Sequence, residues 1–442
     1  MSRTTVACAL LAATSVPAFA AANGAAAAIP GNAIRVHSIA ELAAGIAANP
    51  DGSFALANDY DASADGTYVA SPIPALFSGT FDGHGHTISN LSINDPTAKD
   101  DVGLFAELYE GATVRNLKLA NVNVVGAGSE QWIGGLAGLQ AEGLINHVSV
   151  TGTVSGGEYS WVGGLAGGAE GTVHACDADI TVSTNASNSA GGLVGGNFGL
   201  LSNSTAEGNI SGDAVNLGGF VGYNSADSRF FGKIRNSHSS ASVTQLKKGV
   251  SGGLVGDNGG TIEKSFSSGT VVCQSVCGGL AGANASGEIS RSYATGNVSG
   301  SGAGGLVGQN EGIITNSYAT GETSGYSVAG GLVGLNSQSQ VHQTILKSYS
   351  SGLVNGDAAE PGGLIGSEDI GGDLQHDYWD TTTSGITNKS QGAGNVSNEP
   401  GIKGLSNAKL QAKLPQGFDP KIWGQDPAIN GGLPYLLALP PG

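Results

Sequence analysis

Short apolar runs separated by glycine-rich bends recur along the central part of the chain, about every 29 residues. The shortest intervals are 26 residues, and each unit contains three short β-like runs. Runs of this length cannot bury an apolar face by themselves, but stacked copies can, with equivalent strands paired at about 4.8 Å. The pattern therefore predicts an all-β fold, a right-handed, single-stranded parallel β-helix.

The unit is marked by a pair of glycines followed by an apolar residue, as in Gly304-Gly305-Leu306-Val307-Gly308. We expect the glycines to permit a bend and the apolar residue to point inward. A β-propeller blade needs about 40 residues, and the Leu-x-x-Leu-x-Leu spacing of leucine-rich repeats is absent. The predicted structural positions are Gly135, Leu136, Gly164, Leu165, Gly192, Leu193, Gly219, Phe220, Gly253, Leu254, Gly279, Leu280, Gly305, Leu306, Gly331, Leu332, Gly363 and Leu364.

Aligning the units brings residues of the same type into columns. One column is asparagine, a second is serine, and a third, directly after the serines, is mostly aromatic. Stacked coils would place the asparagine side chains in one hydrogen-bonded ladder. The members are Asn197, Asn224, Asn258, Asn284, Asn310 and Asn336; Ser204, Ser237, Ser265, Ser292, Ser317 and Ser348; and His238, Phe266, Tyr293, Tyr318 and Tyr349.

Non-repeating segments at both ends are expected to cover the open sheet edges. Residues 38–41 form a capping box, and a helical apolar face follows and ends before Pro50. Another short helix is expected over 405–414. The bulky residues expected to cover the last coil, with a sugar-binding surface as the alternative, are Phe418, Trp423, Pro434, Tyr435 and Leu436.

The N-terminus has the features of a signal peptide: Arg3, an apolar stretch over 6–16 and the Ala18-Phe19-Ala20 cleavage pattern. No later segment has eighteen apolar residues in a row, so we expect a protein that does not span a membrane. The predicted segments are a signal peptide (1–20), a flexible alanine-rich tail (21–33), an N-terminal cap with a short helix (34–76), the β-helix (77–370) and a C-terminal cap region (371–442).

Composition narrows the class of partner. Charged residues are 12% of the chain and the formal net charge is -17, which disfavours nucleic acid and anionic lipid as partners. The cations are scattered; the one group, Lys233, Arg235, Lys247 and Lys248, is interpreted as a solvated loop. Hydrophobic residues are 40%, too many for a disordered chain. No cofactor is expected, and the oligomeric state stays open.

Three cysteines remain after signal cleavage. Cys273 and Cys277 are four residues apart, and a disulfide between them requires a bend at Gln274-Ser275. We leave that pairing open, together with the fate of Cys176, since an odd count leaves one thiol over. No metal site is expected from this pair, because no further ligand of useful spacing is near.

Residues 304–321 read Gly-Gly-Leu-Val-Gly-Gln-Asn-Glu-Gly-Ile-Ile-Thr-Asn-Ser-Tyr-Ala-Thr-Gly, which resembles the GLUG motif repeat of bacterial surface proteins. Residues 77–88 resemble the first rung of such proteins. Tyr378-Trp379-Asp380, with residues 417–419 and 434–436, resembles the tail of filamentous-haemagglutinin-like adhesins. The resemblance covers about residues 34–437 and implies a β-helix in an exported surface or secreted protein.

Relatives by this resemblance carry the repeats inside large adhesins and beside the peptidase domain of immunoglobulin A1 proteases. This chain has no His-Glu-x-x-His zinc motif. Parallel β-helices also host pectinases and polysaccharide lyases. Gly83-His84-Gly85 and Asp100-Asp101 are similar to two polygalacturonase elements, although in the opposite order, and Asp82 adds a third carboxylate.

A weak calcium candidate is formed by Asp59, Asp61 and Asp65, whose oxygens alternate as at the start of a calcium loop. The twelfth position from Asp61 is Pro72 rather than glutamate, so a polar turn is the competing interpretation. We name no catalytic residue and no metal site.

The sequence thus favours an exported, adhesin-like binding protein that presents loops to a cell-surface or polysaccharide ligand. The longest insertions, near 225–248 and 338–347, are the expected contact points. One alternative is a carbohydrate-active enzyme, which predicts a carboxylate cluster on one outer face of the solenoid. The other is a structural component of the surface or biofilm matrix. The expected location is extracellular or on the cell surface, with the periplasm also open.

Overall fold

The computed structural model describes residues 33–226, 231–337, 343–355, 359–369 and 372–441. The predicted signal peptide, most of the alanine-rich tail, and the parts of the two long insertions at 227–230 and 338–342 lie outside the described residues. The described chain forms the predicted right-handed parallel β-helix. Its single continuous core is lined by the leucine or phenylalanine of each motif, all of them buried.

One strand of every coil belongs to a separate parallel sheet, and this strand begins directly after the leucine or phenylalanine of the motif. Within the described residues this sheet has ten strands, and the last residue of each is in register with its equivalent in the next coil in nearly every pair. The strands are Phe105–Leu108, Ala137–Gln140, Ala166–Ala169, Val194–Asn197, Val221–Asn224, Val255–Asn258, Ala281–Asn284, Val307–Asn310, Val333–Asn336 and Ile365–Glu368.

The other strands of each coil pair in parallel with their equivalents above and below. Those that follow the first sheet are Thr113–Gly126, Leu144–Gly156, Thr172–His174, Leu200–Ser202, Lys233–Arg235, Thr261–Glu263, Glu288–Ser290, Ile313–Thr315, Thr344–Leu346 and Asp373–Gln375. Next come Asp177–Gly191, Thr205–Gly218, His238–Ser239, Phe266–Ser267, Tyr293–Ala294, Tyr318–Ala319, Tyr349–Ser350 and Asp377–Asp380. The remaining coil strands are Asp101–Val102, Trp132–Gly134, Trp161–Gly163, Ser242–Gln245, Val250–Gly252, Val271–Val272, Val276–Gly278, Val298–Gly304, Thr323–Gly330, Val354–Asn355 and Glu360–Gly362.

A short helix, α1 (Ile39–Ala48), covers the N-terminal end of the core, as predicted. Ser38 caps it, accepting a hydrogen bond from the N–H of Glu41 at 3.1 Å. The parallel ladder reaches further than residue 77, because Ile34–Val36 already pairs with Ser53–Leu56. The other strands before the first motif are Tyr60–Asp61, Thr67–Tyr68, Thr80–Asp82, Thr87–Ser89 and Ser92–Asp95, with a 3₁₀ turn at Ala62–Asp65.

The predicted asparagine ladder forms. From Asn197 to Asn336 each Nδ2 donates to the Oδ1 of the next asparagine at 2.7–2.8 Å, and all six side chains are buried. Asn336 donates in turn to Glu368 at 2.8 Å, so a carboxylate ends the ladder. Because burying an unpaired amide is costly, this chain of bonds also fixes the register between coils.

The serine column forms a second ladder, in which each backbone N–H donates to the hydroxyl of the next serine at 3.2–3.3 Å. Cys176 holds the equivalent position one coil before Ser204, since its N–H donates to the Ser204 hydroxyl at 3.1 Å. Its thiol is fully buried, and burial raises its pKa to about 12. Cys176 therefore packs as a member of this column.

The aromatic column stacks along one side of the solenoid, and we call its five members the aromatic ladder. Successive rings from His238 through Phe266, Tyr293 and Tyr318 to Tyr349 are 4.6–5.2 Å apart, with interplanar angles of 13° or less. This spacing follows from the distance between coils, which holds equivalent side chains face to face. Tyr318 and Tyr349 are completely buried.

The final segment, residues 406–441, which we call the C-terminal tail, runs back along the side of the solenoid. It contains helix α2 (Asn407–Ala412), shorter than expected, and the pair of strands Trp423–Gly424 and Tyr435–Leu436. This changes the expectation that its bulky residues cover the last coil, because they pack on the aromatic ladder instead. The tail side chains in that cluster, all of them buried, are Leu410, Phe418, Trp423 and Leu436.

The end of the core is closed by an earlier segment. The backbone N–H groups of Gly363 and Leu364 donate to carbonyls of residues 391 and 392, which form a partial last coil. The strand Ile402–Leu405 then pairs in parallel with Asp377–Asp380. Trp379 is completely buried against Gly363 and fills the space at this end.

Candidate functional site

A group of aromatic side chains lies partly exposed on the N-terminal half of the solenoid. Trp132 and Trp161 occupy equivalent positions in consecutive coils. Their ring centroids are 4.9 Å apart, and the ring planes are 15° from parallel. Phe198 lies 6.0 Å from both tryptophans, and Tyr223 lies 6.1 Å from Trp161. We call these four residues the aromatic strip.

Two glycines make room for the tryptophan rings. A Cβ atom at Gly168 would lie 2.7 Å from Cε3 of Trp132, and one at Gly196 would lie 2.7 Å from Cε3 of Trp161. In the next coil Tyr223 stands in register with Gly196 and adds its own ring to the strip. Any side chain at either glycine would displace the ring beside it, so the glycines fix where the strip lies.

Carboxylates stand at the N-terminal end of the aromatic strip. Asp101 is in register with Trp132, one coil earlier. Burial raises the pKa of Asp101 to about 7, with smaller contributions from the carboxylates of Glu107 and Asp100. Burial also raises the pKa of Glu107. A carboxyl group that keeps its proton near pH 7 can donate a hydrogen bond as well as accept one.

Further carboxylates extend the negative charge around the strip. Burial and neighbouring carboxylates raise the pKa of Glu170. At the opposite end Asp257 is in register with Tyr223, and burial, together with Glu311, raises its pKa to about 6. In the part of the chain that the structure describes, no ion pair involves Asp101, Glu107, Glu170 or Asp257.

This arrangement suits a sugar polymer. Aromatic rings present flat apolar faces against which the C–H face of a pyranose can pack, and carboxylates accept hydrogen bonds from hydroxyl or amino groups. The enzyme alternative predicted a carboxylate cluster on one outer face, and Asp101 and Glu107 are neighbouring carboxyl groups whose pKa values are both raised by burial. Glycoside hydrolysis uses a pair of carboxyl groups.

The sequence-based enzyme candidates have different surroundings in the structure. Asp82 is buried, and its carboxylate accepts hydrogen bonds from Nε of Arg115 at 2.7 Å and from the N–H of His84 at 2.8 Å. Burial acts to raise the pKa of Asp82, but these bonds and one from Asn116 hold it below its usual range. Asp82 therefore serves to fix a turn, whereas Asp101 belongs to the end of the aromatic strip.

Each of the three calcium-candidate aspartates accepts hydrogen bonds from groups of the protein itself. Asp59 accepts a backbone hydrogen bond at 2.9 Å, Asp61 caps the turn Ala62–Asp65, and Asp65 accepts hydrogen bonds from two tyrosine hydroxyls. No set of three or more His, Cys, Asp or Glu side chains within the described residues is arranged to hold a metal ion. These contacts favour a polar turn at this position.

Two further groups singled out in the sequence have local partners. A disulfide joins Cys273 and Cys277, with the two Cα atoms 6.1 Å apart, and both side chains lie in the core. In the basic insertion, Arg235 pairs with Glu263 at 3.2 Å and Lys247 pairs with an aspartate at 2.6 Å. Two of the four cations of that insertion, Arg235 and Lys247, are therefore paired with carboxylates.

The aromatic strip was missed at the level of sequence, although part of its signal was present. Trp132 and Trp161 each stand two residues before the glycine pair, in consecutive repeats. Phe198 and Tyr223 come from other repeat positions, so aligning the units does not bring them together with the tryptophans. The four residues converge only once the path of the chain between coils is known.

Comparison with known proteins gives the following matches. The model of the N-terminal region of the M26 IgA1-specific metallo-endopeptidases matches residues 29–152. The model of the GLUG motif matches residues 186–211, 213–244 and 299–324. Halomucin of Haloquadratum walsbyi (strain DSM 16790 / HBSQ001) is 42% identical over 88 residues, which are 20% of this chain and 1% of halomucin.

A solved structure of IgA1 protease aligns with 79% of this chain and 21% of its own, at 19% identity and a TM-score of 0.35. The chain thus spans a small fraction of the length of these relatives. No helix in the described part of the chain is long and apolar enough to cross a membrane.

Proposed function

We propose that this chain, a GLUG-motif repeat protein, is an exported, adhesin-like binding protein that holds a neutral or amino-sugar polymer against its aromatic strip. The polymer would belong to a cell surface or an extracellular matrix. The observation that carries the proposal is the stacked, partly exposed pair Trp132 and Trp161, extended by two further rings and supported by two glycines.

The charge around the strip supports the choice of polymer. In their ionised forms, Asp101, Glu107, Glu170 and Asp257 would repel uronate or sulfated chains, whereas they would attract a protonated amine. A neutral glycan pays no electrostatic penalty and can still donate hydroxyl hydrogen bonds to these carboxylates. The net charge of -17 acts in the same direction over longer distances.

Export is supported by the predicted signal peptide at 1–20 and by the matches. The M26 region that matches residues 29–152 is part of proteases named for IgA1, and halomucin is named as a mucin. Each match covers a limited part of the relative concerned, so neither peptidase activity nor a mucin role follows from it. Surface exposure fits a solenoid whose solvent face carries the binding residues.

The binding test uses immobilised polysaccharides and the purified mature chain. A neutral glucan and a chitosan are compared, and we expect retention on at least one of them that depends on the two tryptophans. The Trp132→Ala/Trp161→Ala double variant should weaken retention about tenfold or more. Tyr326→Ala is the matched control, because Tyr326 is 73% exposed and lies outside the strip. Equal retention of both variants would contradict the proposal.

A second candidate function is hydrolysis of the bound polymer, favoured by the paired carboxylates at the end of the strip. Asp101, whose pKa burial raises to about 7, would protonate the leaving oxygen, and the neighbouring Glu107 would activate the water that attacks the anomeric carbon. New reducing ends are measured on the polymer that binds. Turnover that disappears in Asp101→Asn while retention persists would establish the enzyme; retention without turnover in the wild-type protein would leave binding as the function.

A further inference from the structure

We infer that the cleft between the last coil and the C-terminal tail is a second binding site, one that takes an acidic oligosaccharide. The cleft encloses about 850 Å³ and opens to solvent. Four cationic or potentially cationic side chains line it: His376, Lys403, Lys409 and Lys413. The inference does not depend on the proposed function, because this cleft shares no residue with the aromatic strip.

The fold brings these cations together from three places. Lys403 belongs to the strand Ile402–Leu405 and is in register with Tyr378. Lys409 lies in helix α2, and Lys413 follows that helix at the fourth position further along, so both stand on one side of it. His376 precedes the strand Asp377–Asp380 and lines the same cleft.

The cations of this cleft lack acidic partners. No aspartate or glutamate is among the residues that line it. In the described ranges of the chain, none of the four enters an ion pair, although the protein has 35 acidic and 18 basic residues. Lys247, by contrast, pairs with Asp213 at 2.6 Å. Three lysines and a histidine gathered in one concave place, with no carboxylate among the described lining residues, make the cleft complementary to an anion.

The apolar residues that line the cleft indicate which kind of anion it can bind. Ile402, Leu405, Leu414 and Pro415 line the cleft together with the lysines. A lining that combines apolar side chains with cationic groups matches a sugar acid, which has a C–H face and a carboxylate or sulfate at its edge. A cavity of this volume lies in the usual range of about 300–1,000 Å³ for small ligands, so it fits a few sugar units.

The chemistry favours an acidic saccharide over a nucleic acid. A long polyanion would be repelled by the rest of this acidic protein, which has a net charge of -17. It would be attracted by only one group of cations. The tyrosine that lines the cleft is engaged with protein, because the Tyr378 hydroxyl donates to the carbonyl of Gln416 at 2.8 Å and its ring is nearly buried. The ring of Tyr378 is therefore not available for stacking against a nucleotide base.

The test is calorimetric titration of the mature chain with a uronate oligosaccharide, a sulfated oligosaccharide, a neutral oligosaccharide and a short single-stranded DNA. We expect one of the two acidic sugars to bind, and the stronger arm identifies the acid group. Lys409→Glu/Lys413→Glu should weaken that binding at least about tenfold. Lys409→Arg/Lys413→Arg should retain most of it, because the charge is kept.

The control variant is Lys248→Glu, which makes the same type of charge change on an exposed lysine elsewhere. It should leave the affinity within about twofold. The inference is overturned if neither acidic sugar binds, if the double charge reversal leaves the affinity unchanged, or if DNA binds as tightly as the sugars. Loss of glucan or chitosan binding in Trp132→Ala/Trp161→Ala, with uronate binding intact, would show that the two sites are separate.

Discussion

The aromatic ladder and the aromatic strip are built from similar side chains, but they differ in what covers them. Ladder rings stack 4.6–5.2 Å apart at one repeated position, and the C-terminal tail packs over them. Strip rings come from several positions, meet at mixed angles and stay partly exposed. The C-terminal tail thus covers the aromatic ladder, whereas the aromatic strip stays partly exposed to solvent.

This difference is the basis for assigning a structural role to the ladder and for proposing a binding role for the strip. In the ladder, Nε1 of Trp423 donates to Oδ1 of Asn316 at 3.3 Å, and the Tyr349 hydroxyl donates to the carbonyl of Pro434 at 2.6 Å. These are polar contacts that fix the tail in one position. Around the strip, carboxylates with raised pKa values stand without ion pairs, which suits a surface that meets a ligand rather than its own chain.

The largest effect is expected from Trp423→Ala, which removes the side chain at the centre of the tail contact. Trp423 is 1% exposed and lies 5.9–6.0 Å from the rings of Tyr318 and Tyr349. Truncating a buried tryptophan costs about 3–5 kcal/mol. Urea unfolding followed by circular dichroism should show the tail region losing stability, whereas Trp161→Ala should cost less than half as much. Equal losses of stability in the two variants would contradict the assignment of different roles to the aromatic ladder and the aromatic strip.

A smaller effect is expected from Gly196→Ala, which adds a Cβ atom against Trp161. The resulting crowding should cost about 1–3 kcal/mol and should weaken sugar binding, since the ring must move. Gly302→Ala is the matched control, because its Cβ would meet nothing closer than 3.9 Å. Thermal melts and the retention assay together check this. Unchanged binding in Gly196→Ala would show that the position of the Trp161 ring does not matter.

Two tyrosine hydroxyls of the ladder should respond in opposite ways to removal. Tyr349→Phe deletes the bond to Pro434 and the one accepted from Nδ2 of Asn430 at 2.8 Å, at a cost of about 1 kcal/mol. The hydroxyl of Tyr318 is buried and has no hydrogen-bond partner among the described residues, so Tyr318→Phe should be neutral or slightly stabilising. Urea midpoints of both variants measure the contrast. Equal destabilisation would mean that the tail does not engage Tyr349 specifically.

The repeated part of this molecule could be predicted from sequence because position in the repeat determines position in space. The asparagine ladder and the stacking from His238 to Tyr349 followed from alignment of the units, since equal spacing along the chain becomes vertical stacking. The same argument explains Cys176, which stands where later coils have serine.

The non-repeating part could not be predicted in this way. Trp423 is 107 residues from its partner Asn316 in sequence, and no periodicity indicates that the tail turns back along the side. The cleft between the last coil and the C-terminal tail likewise brings His376 close to Lys413, and the segment between them in sequence has no repeats. Its cations therefore looked scattered along the sequence. Long-range packing of irregular chain depends on shape complementarity between specific side chains, which a sequence pattern does not display.

The last prediction concerns pH and the carboxylates of the strip. Asp101 has its pKa raised to about 7, and the groups that face it, Glu107 and Asp100, are also acidic. In the unfolded chain its carboxyl releases its proton near pH 3.8, earlier than in the folded protein, so the folded state binds more protons between these values. Stability should therefore fall as pH rises from about 4 to about 7, and then level off.

Melting temperatures measured between pH 4 and pH 8 should follow this course, and Asp101→Asn should make the decline shallower. The decline should not vanish, because burial also raises the pKa of Asp257 to about 6 and that of Glu368 to about 7. Asp179→Asn, at an exposed carboxylate on another strand, is the control and should leave the slope as it is. An identical slope in Asp101→Asn and the wild-type protein would mean that Asp101 is fully solvated. The strip would then lack the acidic group that separates it chemically from the ladder.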